Sequence, residues 1–552
     1  MFRLTGFLAT LITVASVTLT QSVSFSSVSL DDATVIGTTN GTTTRYLGIP
    51  YAQPPIGDLR LRLPKPASPY EGVINATVFG NQCIQLDFVL GPFPQDVPQA
   101  AQQYLEDFIA IPDIPQSEDC LNLNVITPSG VTPRSKLPVV VWIYGGGYQH
   151  GSNAVEPGEA IVARSIEIGH PMIYVAMNYR LCLHLTVHVA FGFLGGKEVK
   201  EEGVGNLGLQ DQREAFRWVQ KYISAFGGDP SKVTIWGQSA GAISVSLHML
   251  ANGGNNEGLF RAGFLESGAP GPYGDILELQ DTYDQIVADA GCASKDDTLQ
   301  CLRTVPANVL KAAMDKSPSF VDYEQVNTPW NAHADGVFIT EPPQHLLLQG
   351  HVARVPIVIG NDEDEGSAFA FPSLNITTSE EFFNYVSSNF YPKASKQEIA
   401  KILELYSADP AAGSPFGTGD KFAYSPQYKR ISAFQGDWIE QAPRRLFVQQ
   451  ISEKQPVYAF LNKGGKVEGI GAAHGSELPN VYGGGDMADY LIRFATTLDP
   501  NGHGAFHWPQ YTNDNPQLLI FQDSPAPLEI GLDTYRIAPI AYVANLSLTY
   551  PA

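Results

Sequence analysis

Residues Lys232 to Leu250 read KVTIWGQSAGAISVSLHML. An apolar run of strand length, KVTIW, breaks at Gly237-Gln238-Ser239-Ala240-Gly241 and gives way to AISVSLHML, an apolar stretch of helical length. A strand that turns at once into a helix brings the positions on either side of the turn so close that side chains there would collide, so glycine is needed at both. The serine between them stands out at the tip, which is the setting a nucleophilic hydroxyl needs. The five-residue pattern alone is common; its strand–turn–helix context is what singles out Ser239.

Working outward, the same texture repeats. Apolar runs of strand length begin at Leu137 (LPVVVWIY), Pro171 (PMIYVAMNY), Arg261 (RAGFLESG), Val355 (VPIVIGN) and Pro456 (PVYAFLN), with helical stretches between them. Continuous apolar runs indicate strands buried on both faces, hence a mainly parallel sheet covered by helices. In LQDQREAFRWVQKYISAF, Phe216, Val219, Ile223 and Phe226 recur at helical spacing and read as core packing. The N-terminal third instead reads as short strands with turns. No repeat, low-complexity tract or linker divides the chain, so residues 21–552 are expected to form one large domain of the α/β-hydrolase type, a large mostly parallel sheet flanked by helices.

Two further features suit acyl transfer. Gly145-Gly146-Gly147 follows the strand VVVWIY. Negative charge builds on the carbonyl oxygen during acyl transfer, and glycines let backbone N–H groups approach it closely. The expected donors are Gly146, Gly147 and Ala240. No Gly-Lys-Ser/Thr follows, so a phosphate loop is disfavoured. In this fold the chain order is nucleophile, acid, histidine. Among the eleven histidines, only His474, His503 and His507 lie well beyond Ser239 with an acid-bearing strand end between. His507 sits in FHWPQY and reads as aromatic packing, and His503 falls in a turn. His474, in the glycine-rich GAAHGSE, is the expected base. The acid should follow a buried strand, and VPIVIGNDEDEGS offers Asp362, Glu363, Asp364 and Glu365. Spacing does not choose among the four, and most of them read as a solvated turn.

The chain resembles the type-B carboxylesterase/lipase family, which includes secreted fungal lipases and the cholinesterases. The resemblance runs through YLGIPYAQPPIGDLR (Tyr46 to Arg60), SEDCLNLNV (Ser117 to Val125), WIYGGGY (Trp142 to Tyr148) and NYR (Asn178 to Arg180). It continues through GNLGLQDQ (Gly205 to Gln212), FGGDP (Phe226 to Pro230), GQSAGA (Gly237 to Ala242), DEGS (Asp364 to Ser367) and AHG (Ala473 to Gly475). It implies a serine esterase with Glu365 as the acid of a Ser239–Glu365–His474 triad. It implies disulfides Cys83–Cys120 and Cys292–Cys301, and a lid loop between the first pair. It also implies that Ser267, in the ESG that follows one of the strands, supports the site and is not a nucleophile. The expected activity is ester hydrolysis, on medium or long acyl chains. A rival of another class is a non-catalytic adhesion or binding member of the fold, which would be expected to lack the nucleophile.

Two departures stand out. The family's usual Glu before the nucleophile is Gln238 here, which keeps shape and hydrogen bonding but loses a charge. Between Asn-Tyr-Arg and Phe-Gly-Phe-Leu the family has about three residues, whereas Leu181 to Ala190 intervene here, an excess of seven. The apolar segment Leu181 to Val189, with Cys182, is either an exposed insertion or a gene-model error such as retained intron.

Bulk properties fix the setting. The 552 residues carry a net charge of −22, which repels nucleic acid phosphates and anionic membrane surfaces. Residues 1–20, with Arg3 ahead of an apolar run, read as a signal peptide, and no later segment reads as a membrane span. Sequons at Asn40, Asn75, Asn375 and Asn545 agree with a secreted, glycosylated protein. Five cysteines predict two disulfides and one leftover thiol in an oxidising compartment. No metal cluster or dinucleotide fingerprint calls for a cofactor. The expected partner is a small-molecule or lipid ester.

Overall fold

The computed structural model describes residues 24–86, 88–181 and 192–552. The leader assigned to residues 1–20, Cys182 and the rest of the insertion up to Val189 lie outside the described residues. Leu181 itself is fully buried, and Arg180, just before it, is anchored in the interior. The Gly192 N–H donates to the Leu181 carbonyl at 3.2 Å, so the two flanks of the insertion meet.

Thirteen strands among the described residues build one sheet: β1 (Ser24–Leu30), β2 (Asp32–Asn40), β3 (Thr43–Pro50), β4 (Glu71–Asn75), β5 (Asn122–Pro128), β6 (Leu137–Ile143), β7 (Ile173–Met177), β8 (Gly228–Gln238), β9 (Ala262–Glu266), β10 (Ile357–Asp362), β11 (Val457–Lys463), β12 (Gln517–Gln522) and β13 (Leu528–Leu532). Their spatial order is β1-β2-β3-β5-β7-β6-β8-β9-β10-β11-β12-β13, with β4 on β2. The run from β7 to β12 is parallel throughout. The strands at both ends of this order pair antiparallel, while β4 lies parallel to β2. The parallel strands carry the continuous apolar runs of the sequence and are buried end to end from Val139 to Ile143 and from Ile173 to Met177.

The order reverses beside β6: the chain leaves β6 for β7 on one side, then returns to place β8 on the other. Such a switch point leaves a crevice beyond the strand ends, because the two connections depart over opposite faces. The glycine run follows β6 and Ser239 follows β8, so the sheet topology puts both at that crevice.

Three helices bear on the site: α1 (Gln99–Phe108), α2 (Leu207–Tyr222) and α3 (Ala240–Gly254). On α2, Phe216 and Val219 are buried, as are Ile223 and Phe226 in the turn that follows. Several motif residues act as internal braces. Arg60 makes a two-pronged bond to Glu118 at 2.7 and 2.9 Å, and Arg180 does the same to Asp211 on α2 at 2.7 Å for each prong. The disulfides Cys83–Cys120 and Cys292–Cys301 are both present. All four sequon asparagines are exposed.

Candidate active site

The elbow is built as its sequence demands. Ser239 sits between β8 and α3 at φ 55° and ψ −128°, a conformation that costs a non-glycine residue about 1–3 kcal/mol. It is held there from both sides: its N–H donates to the Glu266 carbonyl and its carbonyl accepts from the Ile243 N–H, each at 2.9 Å. A Cβ on Gly237 would lie 2.4 Å from the Gly241 carbonyl carbon, and one on Gly241 would lie 1.9 Å from the Ile143 oxygen. Neither position admits a side chain.

The glycine run lies directly over the elbow. A Cβ on Gly145 would meet Ser239 Cβ at 2.8 Å. Gly146 and Gly147 adopt φ 87° and 59°, a left-handed turn that leaves their N–H groups free of intraprotein bonds among the described residues. Ala240, first residue of α3, has the unpaired N–H of a helix N-terminus. All three residues wall a narrow cleft with Ser239.

Glu365 and His474, 109 positions apart, meet at 2.6 Å between Oε2 and Nδ1, and both are fully buried. The other oxygen of Glu365 accepts the Asp362 N–H at 2.7 Å, which fixes the carboxylate's orientation. His474 Nε2 faces the elbow, 3.4 Å from the Gln238 side-chain nitrogen. The hydrogen bond from Ser239 Oγ to His474 is not made; such contacts often tighten only around substrate.

The remaining acids do not form a solvated turn. Asp362 and Asp364 are buried, because the loop after β10 is clamped against the loop carrying His474. Asp362 accepts from the Gly475 N–H at 2.8 Å, from Asn462 Nδ2 at 2.6 Å and from Ser476 Oγ at 3.1 Å. Burial, reinforced by the neighbouring charge of Glu365, pushes its carboxyl up to about 7. Asp364 accepts from Ser414 Oγ, the Phe416 N–H and the Ala472 N–H, and burial raises it to about 6. Glu363 pairs with Lys463 at 2.8 Å. His507 also differs from its reading: it is exposed, and Trp508 and Tyr511 carry the packing. His503 is exposed as well. Ser267 is buried beside the elbow, its N–H on the Gly360 carbonyl at 2.8 Å.

The loop between Cys83 and Cys120 lies over this centre. On α1, Ala101 and Leu105 are buried in a cluster with Ala368 and Ala473, neighbours of the acid and the histidine. Tyr104 Oη donates to the His474 carbonyl at 2.8 Å. Leu90, Phe93, Leu105, Phe108 and Ile109 wall a cavity of about 330 Å3, which shares the Phe108, Phe320 and Phe369 walls with the serine cleft. Sequence reading missed His150. Its ring lies among Phe88, Phe108 and Phe320, against the glycine turn. No motif marks it; only the fold puts it there. Among the described residues there is no cluster of side chains able to hold a metal ion, and no helix is long and apolar enough to cross a membrane.

The parallel sheet with its switch point, the serine elbow and the acid and histidine at successive strand ends define an α/β-hydrolase. Residues 24–537 match the carboxylesterase family, and the chain belongs to it. It is a carboxylic ester hydrolase. It is 39% identical to Lipase 4 of Diutina rugosa over 89% of this chain and 91% of that one. It is 37% identical to Secreted lipase 1 of Botryotinia fuckeliana (strain B05.10), over 94% and 92% respectively. The crystal structure of Aspergillus niger EstA superposes with a TM-score of 0.80 at 28% identity, covering 95% of this chain and 99% of that one.

Proposed function

We propose that this chain is a secreted lipase-like esterase that hydrolyses medium and long acyl esters through Ser239, His474 and Glu365. The observation that carries this reading is the buried 2.6 Å contact between His474 and Glu365 beneath the Ser239 elbow. His474 Nε2 takes the Ser239 proton as Oγ attacks the ester carbonyl carbon. The N–H groups of Gly146, Gly147 and Ala240 hold the resulting oxyanion. His474 then returns the proton to the departing alcohol, leaving an acyl-serine. Water, deprotonated by the same imidazole, releases the acid. Glu365 orients the ring and stabilises its protonated form without taking the proton.

The acyl preference rests on the aromatic and aliphatic cavity under α1. We read residues 83–120 as a lid whose apolar face covers the site in water and meets lipid when displaced. The segment contains no tryptophan to face a quaternary ammonium, so choline esters should be poor substrates. Secretion is supported by the secreted relative, the two disulfides and the exposed sequons. On this reading residues 1–20 are removed and residues 21–552 form the mature domain. A p-nitrophenyl ester series from acetyl to palmitoyl, run on purified protein and on Ser239→Ala, tests the assignment. Rates should rise toward the longer chains, and Ser239→Ala should lose about 10⁴- to 10⁶-fold. Turnover confined to acetyl and butyryl esters removes the lid reading, and an active Ser239→Ala removes the nucleophile.

A further inference from the structure

His150 is 6% exposed, yet neither of its ring nitrogens has a hydrogen-bond partner among the described residues. A buried polar group left unpaired costs about 1–3 kcal/mol, so two such atoms on one ring point to a ligand or ordered water. The ring's place narrows the choice. A Cβ on Gly146 would touch His150 Cδ2 at 2.6 Å, so the imidazole edge rests on the glycine turn above Ser239. Burial lowers the imidazole to about 4, so the ring is neutral, with one nitrogen donating and the other accepting.

His150 opens on a recess of about 260 Å3 shared with Tyr104, Glu156, Gln238 and Gly475. This recess and the serine cleft share two walls, Gly146 and Phe108. Between apolar walls at Val155, Leu478 and Pro479, the recess offers the His150 imidazole, the Gln238 amide, the Tyr104 phenol and the carboxyls of Asp107 and Glu156. Glu156 is itself pushed up to about 7 by burial. Mixed donors and acceptors suit hydroxyl groups, each of which donates and accepts at once.

We propose that this recess is the alcohol-side subsite of the esterase and that His150 makes it select a polyol such as a glyceryl unit over a plain alkyl alcohol. The inference rests on the ester-hydrolase reading above and adds the identity of the leaving group. It makes His150 a specificity-determining residue with no part in proton transfer.

The test compares a 1-monoacylglycerol with the methyl ester of the same fatty acid, on wild type, His150→Phe and His150→Asn. Phe keeps the ring packing and loses both polar atoms, whereas Asn keeps a donor and an acceptor. The glyceryl-to-methyl ratio of kcat/KM should fall about tenfold in His150→Phe, the loss expected for one neutral hydrogen bond. It should recover at least in part in His150→Asn. An unchanged ratio, or an equal fall on both esters, overturns the proposal. A wild type that prefers a choline ester over the glyceryl ester also overturns it. Failure of the wild type on every ester would instead overturn the esterase reading. If His150→Phe does not fold, product inhibition of the wild type decides: free glycerol should inhibit more strongly than 1-propanol, and equal or weaker inhibition refutes the subsite.

Discussion

Replacing Glu365 by glutamine tests the site at its most constrained point. The exchange keeps size and shape, and the surroundings dictate how the amide must sit. One carboxylate oxygen accepts the Asp362 N–H at 2.7 Å and the other faces His474 Nδ1 at 2.6 Å. In the variant the amide oxygen has to stay on the Asp362 N–H, because the reverse orientation sets two buried donors against each other at about 1–3 kcal/mol. The NH2 group then points at Nδ1, which must accept. That drives the imidazole proton onto Nε2, the nitrogen that has to receive the Ser239 proton. The wrong tautomer dominates, and the charge that stabilises the imidazolium is gone as well. The corresponding amide exchange in serine proteases lowers kcat about 10⁴-fold. With one orientation locked here, a fall of about 10³ to 10⁴ is expected, or roughly 4–5.5 kcal/mol. Steady-state hydrolysis of p-nitrophenyl octanoate reads it, with a thermal melt to show that the fold survives. Retention of more than about a tenth of wild-type kcat would refute the reasoning. Asp362→Asn is the control: if it, and not Glu365→Gln, abolishes turnover, the acid has been misassigned.

Tyr104→Phe removes the bond from α1 to the His474 carbonyl. A lid held shut by that bond opens more readily by about 1 kcal/mol, so activity on dissolved esters should rise about fivefold and activation by emulsified substrate should shrink; no change in either leaves α1 as plain packing. Asp533 is fully buried between Arg444 and Arg445, whose charges hold its carboxyl down at about 2. Asp533→Asn should cost about 3–5 kcal/mol in urea unfolding, since two buried guanidinium groups lose their counter-charge. Because the folded value is depressed, this stabilisation is present above the unfolded carboxyl's value near 3.9 and disappears as pH falls toward 2. The acid-side loss of stability between those limits should therefore flatten in the variant; an unaltered slope contradicts the pairing. Deleting residues 183–189 should leave folding and ester hydrolysis intact, because Leu181 and Gly192 already meet. A cDNA read or tryptic peptides across the region will show whether the segment is native, and an inactive deletion variant would show that it is needed.

The elbow was legible in the sequence because its constraint is local. A turn in which Gly241 approaches the Ile143 oxygen admits no side chain, so the residue types at positions 237 and 241 are dictated by backbone contact within a few residues and one neighbouring strand. The same holds for the strands buried on both faces, whose continuous apolar runs announce a parallel sheet, and for the helical spacing on α2. Chain order and elimination pointed to His474. What the sequence left open were choices made across long separations. Four consecutive acids at the end of β10 look alike in one dimension. Three-dimensional clamping of that loop against the one bearing His474 gives Glu365 the imidazole, Asp362 the Gly475 and Ser476 groups, and Asp364 the Ser414 loop. Local polarity suggested solvent for those acids, but the neighbouring loops bury them and supply their donors. His507 failed the other way: its aromatic neighbours suggested burial, but Trp508 and Tyr511 turn inward and the histidine does not. His150 had no signal at all, because an unpaired imidazole is defined by the partners it lacks, and those are known only once every neighbour is in place.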